Sequence, residues 1–183
     1  MQKTIIGIIV TTLVLYIWGF LYWGVSTIPY SYWKQTSDDA ITQEVLAEHF
    51  PESGTYYIPG VGNDPDTRAT LYEKGPTGFV HIQHGGSSPT DPAIMIQGFV
   101  LNLVIVVLLA GFFRVAGASE FRDFARLSVA AGAVAVIAIG VGDIVWWRMP
   151  VEWKIWQIFY DYTVWLLAGH LLGVFMKIKP EAQ

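Results

Sequence analysis

Cysteine is absent from all 183 residues. That excludes disulfides, Cys-ligated zinc, iron–sulfur clusters, c-type haem attachment and a Cys-linked lipid anchor. Charge is sparse as well. Only 14% of the residues are Asp, Glu, Lys or Arg, against about 25% in soluble domains. The net charge of −4 gives no reason to expect nucleic acid as a partner. Catalytic signatures are missing too. There is no Gly-x-Ser-x-Gly elbow and no His-Glu-x-x-His. The glycines of Gly60-Val61-Gly62-Asn63 lack the Lys-Ser/Thr and the preceding apolar strand of a phosphate-binding loop. No motif indicates a cofactor or an enzyme, and no internal repeat of the transporter kind is present.

What is abundant is apolar surface. The chain is 53% hydrophobic and 15% aromatic, with eight Trp, more than one water-soluble core of this size can hide. Lipid must serve as solvent. Four apolar runs are long enough to cross about 30 Å of hydrocarbon: residues 4–24, 93–113, 124–147 and 154–176. The first ends in Phe20-Leu21-Tyr22-Trp23. That suits an interfacial anchor better than the small-residue cleavage site of a signal peptide. Arg148-Met149-Pro150 separates the last two runs. Gly117-Ala118-Ser119-Glu120 links the second to the third, with Ser119 as the expected N-cap. The expected fold is therefore all-α and membrane-embedded: four transmembrane helices, with a small α+β extracytoplasmic domain at residues 25–92 inserted between helices 1 and 2.

Orientation follows from the basic residues near the membrane ends. With both termini in the cytoplasm, Lys3, Arg114, Arg122, Arg126, Lys177 and Lys179 lie inside. Only Arg148 and Lys154 lie in the short loop outside. Residues 25–92 are then extracytoplasmic, or periplasmic if the membrane is a bacterial inner one. Trp18, Trp23, Trp33, Trp146, Trp147, Trp153 and Trp156 gather at the outer face as an aromatic belt or a docking surface.

The inserted segment carries nine acidic and three basic residues. A helix is expected over 37–50, capped by Ser37 or Asp38, with Ile41, Val45, Leu46 and Phe50 as its buried stripe. Strands are expected over 55–58 and 78–84, around a second helix started by Asp64-Pro65. Two strands and two short helices make a marginal core, so the domain must lean on something.

Three groups of residues are candidates for chemistry. His81 and His84, with His49 from the first short helix, offer imidazoles for a metal. Strand geometry points residues three apart to opposite faces, so a shared metal would need a bulge or turn. Asn102, Asp143, Asp161 and His170 lie within apolar runs, where polar groups are costly. Asn102, Asp143 and Asp161 form an expected intramembrane cluster, with Tyr160 or Tyr162 donating. It reads as interhelical hydrogen-bonding, as a proton or ion site, or as a contact for a quinone, pigment or lipid head group. His170, on the opposite face of the helix from Asp161, is a candidate axial ligand for haem or chlorophyll, or a hydrogen-bonded packing residue. The third group is a small-residue face for helix packing: Ala131, Ala135, Ala138 and Gly142, with Ser128, Gly132 and Gly140 nearby.

The leading expectation is a non-catalytic accessory or assembly subunit of a larger membrane complex, in contact with lipid and with other membrane subunits. It would dock through its outer domain and outer helix ends. The alternatives are an extracytoplasmic metal- or small-ligand-binding membrane protein, and a proton- or ion-handling protein using Asp143 and Asp161.

Overall fold

The computed structural model describes residues 2–177; Lys179, among the basic residues counted above, lies outside them. In chain order the elements are α1 (Gln2–Gly19), α2 (Asp39–His49), β1 (Gly54–Ile58), α3 (Pro65–Lys74), β2 (Gly78–Ile82), α4 (Pro92–Val115), α5 (Phe121–Val136), α6 (Gly142–Trp147) and α7 (Val151–Met176). A π-helical stretch, Phe20–Val25, prolongs α1, and another, Ile137–Val141, joins α5 to α6. Four continuous spans result: Gln2–Val25, Pro92–Val115, Phe121–Trp147 and Val151–Met176. Each is long and apolar enough to cross a bilayer, which makes the chain a multi-pass integral membrane protein.

Every span begins before its apolar run; at α4 and α5 the starts are built from polar caps that hydropathy does not register. The Asp91 carboxylate accepts from the Ala93 N–H at 2.9 Å ahead of α4. At α5 the cap is Glu120 rather than Ser119. The Asp123 carboxylate takes the Glu120 N–H at 2.8 Å and the Ser119 N–H at 3.0 Å. A carboxylate three residues into the helix satisfies both donors, so the first turn begins one residue later than expected.

The chain divides into two compact units. One comprises the residues up to Trp33 and from Asp91 onward; the other is Lys34–Thr90. In the first, α7 is central. It packs along α5 and α1, and α1 packs along α4. A core of Leu15, Val106, Phe113, Phe124, Ala168 and Leu172 draws on all four spans. Side chains of α1 tie it to its neighbours. The Tyr16 hydroxyl donates to the Met95 carbonyl at 3.2 Å, Trp18 Nε1 to the Thr163 hydroxyl at 2.9 Å, and Tyr22 to the Trp156 carbonyl at 2.9 Å. Trp23, Tyr30, Trp33 and Trp153 interlock edge-to-face, which draws the chain after the first span into the helical unit.

The closest helix approach is between α5 and α7. It runs through Ser128, Gly132 and Gly140, not through the neighbouring stripe of Ala131, Ala135, Ala138 and Gly142. Ser128 is fully buried against Gly169, Gly132 meets Trp165, and Gly140 meets Ile158. Ala131 and Ala135 are half-buried and Ala138 is exposed.

In the second unit β1 and β2 form an antiparallel pair with Thr55 opposite His81 and Tyr57 opposite Phe79. Asp38 caps α2 by accepting from the Ala40 and Ile41 N–H groups. Asp64 caps α3 with Pro65 at the first helical position. The Thr67 N–H that donates to Asp64 holds its carboxyl below the ordinary carboxylate range. This cap therefore stays charged down to a lower pH than a free Asp would, and is lost only as pH falls through that lowered value.

The stripe expected to be buried on α2 is largely uncovered. Ile41 is 59% and Val45 46% exposed, while Leu46 and Phe50 are half-buried. A two-stranded sheet with two short helices has too little surface to enclose them. Pro59 is the one residue of this unit, among the described residues, that is buried.

Candidate functional site

The second and third spans meet at one end, where the Phe113 and Phe124 rings lie 5.1 Å apart, and pack little elsewhere. Between them lies a cleft of about 410 Å³. It is lined by Leu101, Asn102, Ile105 and Leu109 of α4, by Ala135, Val136 and Ile139, and by Tyr160, Asp161, Val164 and Trp165 of α7, of which Asp161 is exposed. Ile139 belongs to the π-helical stretch, a geometry found often at functional sites. The cleft falls in the volume range of small-ligand pockets, with mainly apolar walls and a few polar groups.

Of the expected cluster, Asn102 and Asp161 both line this cleft and Asp143 does not. Asp143 is held elsewhere, by the Lys154 ammonium at 2.6 Å. This pair closes the hairpin between α6 and α7. Lys154 is buried, and both side chains are less than a third exposed. Asn102 Nδ2 donates to the Gly98 carbonyl at 2.9 Å, so its amide is oriented with Oδ1 as the acceptor still available. The Tyr162 hydroxyl reaches the Val129 carbonyl at 3.5 Å instead of a carboxylate. Tyr160 is the tyrosine at the cleft. Asp161 makes no hydrogen bond or ion pair among the described residues.

The other candidates occupy ordinary bonds. His170 Nδ1 donates to the Leu166 carbonyl at 2.6 Å, one turn back on its own helix, and its ring lies against Phe121. Its Nε2 alone keeps a lone pair. His81 Nδ1 bonds the Thr55 hydroxyl across the sheet at 2.8 Å. β2 ends at Ile82, so His84 lies past the strand, where its Nε2 donates to the Phe50 carbonyl. His49 closes the last turn of α2. Among the described residues no three His, Cys, Asp or Glu side chains are arranged to hold a metal. The expected grouping of His49, His81 and His84 is therefore not formed, because each projects from a different element or strand face.

The tryptophans divide by environment. Trp18, Trp23, Trp33 and Trp153 are engaged with each other and with neighbouring helices, as described above, and Trp156 packs on Phe159. Trp146 is 79% exposed and Trp147 about half exposed.

Compared with known protein families, with curated proteins and with solved structures, the chain has no significant match.

Proposed function

We propose that the protein is a non-catalytic accessory subunit of a larger membrane assembly, docking through the Lys34–Thr90 unit. The observation that carries this reading is the apolar surface which that unit leaves uncovered. Ile41, Val45, Val61 and Leu71 are all at least 40% exposed around a unit with almost no interior. Burying them would supply about 25 cal/mol per Å² of apolar area. The surrounding charge is acidic, with Asp38, Asp39, Glu44, Glu48, Glu52, Asp64, Asp66 and Glu73 against Lys34, Arg68 and Lys74. The matching partner surface is apolar with a basic rim.

The test replaces Val45 with a photo-cross-linking amino acid in cells, followed by purification in mild detergent. The expected result is one dominant cross-linked protein and an assembly larger than the chain itself. Ile41→Glu and Val45→Glu should release it. A lone monomer in several mild detergents, with no cross-link, overturns the reading.

The orientation proposed is the one with both termini in the cytoplasm and the Lys34–Thr90 unit outside. The six-to-two excess of Lys and Arg supports it. Because the chain has no cysteine, single Cys probes report sidedness without background. Val61→Cys, at a position 73% exposed, should react with a membrane-impermeant maleimide added to intact cells. Val115→Cys, beside Arg114 at the opposite end, should react only after permeabilisation. The reverse pattern inverts the topology.

A further inference from the structure

The cleft between the second and third spans has an unbalanced chemistry. Asp143, Lys154 and Asp161 together carry one negative charge more than positive. Lys154 is committed to Asp143 at 2.6 Å. Asp161, two turns further along α7, lines the cleft within electrostatic reach of Lys154 but makes no hydrogen bond or ion pair among the described residues. Asn102 lines the same cleft; one of its amide N–H groups is bound by the Gly98 carbonyl, and its Oδ1 is available as an acceptor. Tyr160 and Trp165 add a hydroxyl and an indole N–H to the lining, and neither carries a positive charge; an unpaired carboxylate in an apolar cleft calls for a cationic donor. An ammonium has three N–H donors and no acceptor.

Position narrows the class of molecule. Leu101 and Leu109 lie about 13 Å and 9 Å from the two ends of α4, at 1.5 Å per residue. The cleft is thus near the middle of the second span. Its lining residues all belong to membrane spans, so its occupant arrives through lipid. Leu101, Ile105, Leu109, Ile139 and Val164 would contact an alkyl chain.

We infer that this cleft binds a lipophilic primary amine, with its ammonium on the Asp161 carboxylate and the Asn102 Oδ1, and its chain against the apolar walls of α4 and α7. Pairing in this way removes the cost of an unmatched carboxylate within the membrane. The inference does not depend on the docking of the Lys34–Thr90 unit.

The experiment uses the full chain in phosphatidylcholine nanodiscs. Two probes are compared, a C12 primary amine and a C12 alcohol, each bearing a diazirine in the chain. After irradiation, labelled peptides are located by mass spectrometry. The amine should label segments 101–109 and 135–139, and excess dodecylamine, but not dodecanol, should compete. Asp161→Asn, nearly isosteric, should lower amine labelling about tenfold or more, since a charge-assisted hydrogen bond contributes about 1.5–3 kcal/mol. Ala135→Phe, which fills the cleft and keeps the carboxylate, should also abolish it. Equal labelling by amine and alcohol, or labelling unchanged in Asp161→Asn, overturns the inference. So does absence of labelling in the wild-type chain, including the case where a partner helix in native membranes brings its own Lys to Asp161.

Discussion

Gly169→Leu is expected to abolish the folded protein, and Gly169→Ala to weaken it by about 1–3 kcal/mol, the usual range for overpacking. A Cβ built on Gly169 would collide with the Ser128 side chain and come within 3.1 Å of the Phe124 carbonyl oxygen. The oxygen belongs to helix backbone, so the two helices must move apart. Separation strips contacts from Gly132 on Trp165 and Gly140 on Ile158, further along the same seam. In a bilayer that loss is not offset by the hydrophobic effect, because helix association there rests on close packing. Ser128→Gly in the Gly169→Ala background removes the larger collision but leaves the approach to the Phe124 carbonyl, so it should recover part of the stability. Gly111→Ala is the control: a Cβ there meets nothing within 4 Å, so it should be neutral or slightly stabilising. Thermal unfolding in detergent, followed through Trp fluorescence, reads all four. Equal behaviour of Gly169→Ala and Gly111→Ala would show that the α5–α7 seam is not close-packed.

That seam also shows how far sequence reasoning reaches. Length and hydropathy suffice for four membrane helices, because a span must satisfy its backbone internally and face lipid over 20 residues. The small-residue signal marked a helix that does pack closely within the chain, but the seam there uses the row beside the expected stripe. Ala131, Ala135, Ala138 and Gly142 form one small row; Ser128, Gly132 and Gly140 form another beside it. Which row faces a neighbour depends on the neighbour's relief, and Trp165 and Ile158 need glycine, not alanine, opposite them. In the short helices the caps were legible, since Asp38 and Asp64 act through local bonds. The fate of Ile41 and Val45 was not, because periodicity marks a face as apolar without saying that anything covers it. The cleft was half legible. Asn102 and Asp161 are conspicuous as polar residues in apolar runs, but the gap that unites them arises from the divergence of α4 and α5, which no local pattern encodes. Grouping Asp143 with them overlooked a signal that was present. In a tight helical hairpin, residues equidistant from the turn face each other, and Asp143 and Lys154 flank Arg148-Met149 symmetrically.

That pair supports the second large effect. Lys154→Met should destabilise the protein by about 3 kcal/mol, because it leaves the Asp143 carboxylate without its cation in a mostly buried position. Asp143→Leu should cost less, about 1 kcal/mol. The freed Lys154 sits in the first turn of α7, and its four-carbon stem can carry the ammonium towards the water at that end of the helix. The short Asp143 side chain has no such reach. Replacing both, Asp143→Leu with Lys154→Met, should return the stability close to wild type, since an ion pair held at this burial roughly balances its own desolvation. The cycle therefore predicts strong non-additivity, with the double variant more stable than Lys154→Met alone. Additive losses would mean that the two side chains do not share one interaction. The double variant has a further use: it removes one carboxylate and one ammonium and leaves Asp161 untouched. If Asp161 alone selects a cation in the cleft, amine labelling should survive in the double variant, while both depend on the same fold. Loss of labelling there, with stability retained, would move the recognition from Asp161 to the hairpin pair.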